Sequence, residues 1–137
     1  MSSIFELEKP VFGRENSSVE LVAASDADTT LTAAESVNSL VVMTPTGAKT
    51  VTTATAAAII AEIGSGVRIG TTFSITLRNQ AASTHAMTLA GGTGVTLDSD
   101  NTNTAAAAAT RSFLGRVTAY ASGSEAITVY SGVTSAH

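Results

Sequence analysis

Cysteine and tryptophan are absent from this 137-residue chain, and proline occurs only twice. Without thiols there is no disulfide, no thiolate metal site and no cysteine nucleophile. A chain that manages without disulfides suits assembly in a reducing cytoplasm. Charge is scarce as well: 13% of residues are charged, where about a quarter is usual. Seven Lys or Arg stand against eleven Asp or Glu, for a net charge of −4. With no basic cluster the chain has no electrostatic footing on a phosphate backbone, so no nucleic-acid partner is expected. The longest apolar run, 56–61, is too short to cross a bilayer, so no membrane partner is expected either. The first ten residues lack the basic and apolar regions of a secretory signal. Aromatic residues number six: Phe5, Phe12, Phe73, Phe113, Tyr120 and Tyr130.

What fills the chain instead is small. It holds 24 Ala, 22 Thr and 16 Ser. A buried Ala contributes far less apolar area than a Leu or a Phe, so a core of this content gives modest stability to a monomer. Burial against partner subunits is a natural remedy, and the composition therefore favours an oligomer. The length fits one domain, which at this size buries about two-thirds of its unfolded surface.

Residues 1–18 differ from the rest. They contain two of the four phenylalanines together with Glu6, Glu8, Lys9, Pro10, Arg14 and Glu15, and show no sustained alternation. Disordered tails are poor in large apolar residues, so this segment reads as an extended arm docking on a neighbouring subunit or surface. The plainer alternatives are an edge strand folded back on its own domain, or a frayed end.

From residue 19 onward the pattern is mostly that of a β-protein. Ser18 to Ala24 forms a first strand with Val19 and Leu21 on one face. Residues 25–36 read as a loop or edge segment, Asn38 to Thr44 as a buried strand, the Thr-Pro-Thr-Gly run at 44–47 as a turn, and Lys49 to Thr52 as a short strand. A single short helix is expected over 54–63, capped by Thr53. Ile59, Ile60 and Ile63 share its apolar face, and Gly64 ends it. At that length it must pack on a sheet to persist. Thr72 to Asn79 is the cleanest strand, with Phe73, Ile75 and Leu77 opposite Ser74, Thr76 and Arg78. Met87 and Leu89 point inward from the next strand, Gly91 to Gly94 turn the chain, and Val95 and Leu97 follow. The alanines at 105–109 read as an extended linker before strands at 111–121 and 126–130. Two hairpin-like pairs are implied, 72–79 with 86–90 and 111–121 with 125–131. No repeat is long enough to indicate a solenoid. The expected architecture is all-β, a sandwich or barrel of short antiparallel strands with one helix, over residues 19–137 and preceded by the arm at 1–18.

Candidates for chemistry are few, and each has a plain structural reading. His85 is the one internal histidine, and with no cysteine a zinc site lacks ligands, so it reads as a loop residue; His137 is terminal. Asp98, Asp100, Asn101 and Asn103 line up oxygen atoms like the start of a calcium loop. The required Gly and the distal Glu are missing, which favours a solvated turn; Asp26 and Asp28 form a weaker pair. Gly91-Gly92-Thr93-Gly94 lacks the Lys-Ser/Thr and the helix of a phosphate loop and reads as a hairpin turn. Arg68, Arg78, Arg111 and Arg116 either reach solvent and acids of the same chain or contact acidic patches on a partner. No metal, cofactor or catalytic residue emerges.

The wording of 44–53 (Thr-Pro-Thr-Gly-Ala-Lys-Thr-Val-Thr-Thr), of 70–79 (Gly-Thr-Thr-Phe-Ser-Ile-Thr-Leu-Arg-Asn) and of 85–97 (His-Ala-Met-Thr-Leu-Ala-Gly-Gly-Thr-Gly-Val-Thr-Leu), with 111–131, resembles the β-rich modules of tailed-phage virion proteins. The likeness is greatest to capsid decoration (cement) proteins and to head- or tail-fibre domains. It implies a non-enzymatic structural protein on the capsid exterior, assembled in the host cytoplasm, with the major capsid protein and copies of itself, as a homotrimer, for partners. On that expectation Ile4, Phe5, Leu7, Val11, Phe12 and Arg14 of the arm dock on the capsid. A fibre domain that binds a host surface receptor is the alternative in the same class. A small carbohydrate-cleaving enzyme, which needs an aromatic cleft and two converging acids, is the third.

Overall fold

The computed structural model describes residues 19–98 and 103–137. The arm residues Ile4, Phe5, Leu7, Val11, Phe12 and Arg14 lie outside the described residues, as do Asp100 and Asn101.

Among the described residues ten strands and two short helices follow one another as β1 (Glu20–Ala23), β2 (Thr29–Thr30), α1 (Ala33–Ser36), β3 (Ser39–Met43), β4 (Lys49–Thr52), α2 (Ala56–Ile63), β5 (Thr72–Asn79), β6 (Met87–Ala90), β7 (Val95–Leu97), β8 (Thr104–Ala105), β9 (Ala109–Ala119) and β10 (Ala126–Ala136). They make two sheets: six strands in the order β1-β3-β5-β9-β10-β7, and four in the order β2-β4-β6-β8. The chain alternates between them. From β1 to β6 every odd strand joins the first sheet and every even strand the second, so the polypeptide winds as a coil of three turns.

That winding corrects the expectation of antiparallel strands. Among the described residues five of the eight pairings are parallel: β1 with β3, β3 with β5, β2 with β4, β4 with β6, and β7 with β10. The first four have a common cause. A strand reaches its same-sheet neighbour by way of a strand in the other sheet, and so re-enters in the same direction. The implied hairpin of 72–79 with 86–90 does not form. β5 lies beside β3 and β9, and β6 lies in the second sheet beside β4 and β8. The hairpin of β9 with β10 does form, and both its strands run to eleven residues.

Side-chain parity decides which residues go inside. Phe73, Ile75 and Leu77 of β5 are buried, as are Val41 and Met43 of β3, Phe113 and Val117 of β9, and Ile127 and Val129 of β10. Val51, Met87, Leu89 and Ala105 come in from the second sheet, and all belong to one cluster with Ile59 and Ile60 of α2. Burying a side chain such as Phe113 contributes about 2–3 kcal/mol.

α2 starts two residues later than expected. Thr55, not Thr53, is the N-cap, and its side chain accepts from the Ala58 amide at 3.2 Å. Thr53 is fully buried, and its hydroxyl donates to the Ala54 carbonyl and accepts from the Gly92 amide. The helix ends at Gly64, as expected, with φ 90° and its amide on the Ile60 carbonyl. The segment 25–36, expected as loop or edge, holds both β2 and α1. Thr32 and Glu35 form a complete capping box there: the Glu35 amide donates to Thr32 Oγ1, and the Thr32 amide to Glu35 Oε1.

Asn79 turns the chain from one sheet to the other. It is fully buried at the end of β5. Its Nδ2 donates to the carbonyls of His85 at 2.8 Å and Ala105 at 3.0 Å, and its Oδ1 accepts from the Ala81 amide at 2.9 Å. The 80–86 crossing is thereby tied to β5 and to β8.

Candidate protein-contact face

One side of the six-stranded sheet packs into the core, and the opposite side carries the residues of the other parity. Across the register these are Leu21 and Ala23 of β1, Leu40 and Val42 of β3, Ser74, Thr76 and Arg78 of β5, Ser112, Leu114 and Arg116 of β9, and Thr128 and Tyr130 of β10. Leu21 is 65% exposed, Leu114 47% and Tyr130 40%, so large apolar side chains sit in the open here. Val19, just before β1, is 60% exposed. Thr76 and Ser112 face each other across β5 and β9 with their hydroxyls 3.2 Å apart.

A groove of about 400 Å³ opens on this face, lined by Ser74, Ser112, Leu114, Tyr130, Ser131 and Gly132, with Phe113 behind them. Its origin is local. The β9–β10 register shifts between Ser131 and Thr134, where β10 carries one residue more than β9, and a bulge of this kind bends its strand. Arg111 fixes the bend: its Nε donates to the Thr104 carbonyl and its Nη1 to the Gly132 carbonyl, each at 2.8 Å. Ser131 Oγ donates to Asn103 Oδ1 at 2.8 Å.

The four arginines among the described residues therefore divide. Arg111 holds the bulge, and Arg68 is turned onto the carbonyls of Ser65 and Val67 in its own loop. Arg78 and Arg116 stand on the open face, and among the described residues neither has an ion pair. The one ion pair among the described residues joins Lys49, at the start of β4, to Asp26 in the β1–β2 loop at 3.5 Å. Asp26 also accepts from the hydroxyl and the amide of Thr46. Those hydrogen bonds, with the Lys49 charge behind them, hold its carboxyl below the ordinary value of 3.8. Asp28, its partner in the weak calcium reading, accepts from the Thr50 amide of β4 at 2.9 Å, so both acids tie the β1–β2 loop to neighbouring segments.

His85 is exposed in the 80–86 crossing with φ 81°, and its carbonyl serves Asn79. The Gly91–Gly94 turn joins β6 to β7. The Gly92 amide is bonded to Thr53, and a Cβ there would meet the Ala54 and Thr53 carbonyl oxygens at 2.7 Å, so glycine is needed for close packing. The Asp98 amide donates to the Val129 carbonyl, and the Asn103 carbonyl accepts from the Leu89 amide. Among the described residues no three His, Cys, Asp or Glu gather as metal ligands, and no helix is long and apolar enough to cross a membrane. What the arrangement offers is a contact surface of apolar side chains, hydroxyls and the cations Arg78 and Arg116. Parity in β9 and β10 already sets Leu114 and Tyr130 opposite the core residues, but nothing in the sequence marks the groove between them.

No family model matches this chain, and no curated protein or solved structure does.

Proposed function

We propose that this chain is a non-enzymatic structural protein of a tailed-phage virion. It decorates and stabilises the outer surface of an icosahedral capsid as a homotrimer that bridges coat subunits. The observation that carries the reading is the open face of the six-stranded sheet, where Leu21, Leu114 and Tyr130 are exposed beside Arg78 and Arg116. An apolar, hydroxyl-rich surface of this kind suits protein contact better than turnover of a small substrate. The resemblance of 44–97 and 111–131 to virion β-modules supports the same class. In this reading the two sheets are the layers of a sandwich, the sandwich faces serve self-association, and Ile4, Phe5, Leu7, Val11, Phe12 and Arg14 dock on the major capsid protein. No cofactor takes part. Weak contacts from three arms add up to tight attachment through their high effective concentration.

Cosedimentation of the purified protein with mature, empty capsids tests this directly. Saturable binding at a fixed ratio to coat protein is the expected outcome. Removing residues 1–17 is expected to leave the β-domain folded and abolish binding. Full binding by the truncated chain overturns the role of the arm. Absence of binding by the full chain overturns decoration in favour of a fibre domain, for which adsorption to host cells is the next measurement.

A further inference from the structure

We draw no further inference here: the strongest candidate, the groove between Leu114 and Tyr130 on the open face of the six-stranded sheet, is an unpartnered apolar surface, and nothing in the structure shows what covers it.

Discussion

Phe73 of β5 lies across the backbone of Gly115 in β9, so closely that a Cβ at position 115 would come within 2.3 Å of the ring's Cζ and 2.5 Å of its Cε2. The two residues are direct cross-strand partners on the core side of the sheet. The ring covers the gap that the missing side chain leaves between Phe113 and Val117, both fully buried on the same strand. One of the chain's few aromatic residues is thus spent on a glycine. Gly115→Ala is expected to destabilise the fold by about 1–3 kcal/mol, because the ring must leave its place. Urea unfolding measures it, and Phe73→Leu in the same chain is expected to recover part of the loss. An unchanged midpoint for Gly115→Ala contradicts the close packing.

Asn79 is expected to be more sensitive than any surface polar residue. Asn79→Ala removes three hydrogen bonds at a fully buried site and leaves the His85 and Ala105 carbonyls and the Ala81 amide without that partner. A loss of about 2–4 kcal/mol in urea unfolding follows. Asn79→Asp is expected to do no better, since a carboxylate supplies no donor for the two carbonyls.

Thr32→Ala dismantles the capping box of α1. Because the helix has four residues, the effect is expected to stay local, at about 1 kcal/mol. Faster amide exchange at Glu35 and Ser36, with the exchange of β5 unchanged, is the expected signature.

Acid is expected to loosen the tie between the β1–β2 and β3–β4 loops. Asp26 has its carboxyl lowered by Thr46 and Lys49, so its contribution is fully present above the ordinary value of 3.8 and is lost as pH falls through its lower folded value. Amide exchange at Thr46 should rise below about pH 4 in the parent chain. In Asp26→Asn this step should be absent.

The individual elements could be read from residue order because their signals are local. Alternation in 72–79 puts Phe73, Ile75 and Leu77 inside, the isoleucines of 59–63 share a helix face, and Gly64 ends that helix. The Thr-Ala-Ala-Glu signal of α1 is also present in the sequence, although the reading of 25–36 as loop or edge passes over it. Thr53 and Thr55 look alike as caps on paper. Packing separates them, because the Thr53 hydroxyl is needed by Gly92, which approaches from a turn nearly forty residues away.

Composition and side-chain parity by themselves determined a β-rich chain, which residues face the core, where α2 lies, and the absence of thiol chemistry. Only the tertiary structure decided that β5 pairs with β3 and β9 and not with β6, that most pairings are parallel, and that a bulge at Ser131 opens a groove beside Leu114 and Tyr130. The physical reason is that parity repeats every two residues whichever way a neighbouring strand runs. The choice of neighbour instead rests on contacts far apart in the chain: the Asn79 crossing, the buried Thr53–Gly92 bond, and the ring of Phe73 on Gly115.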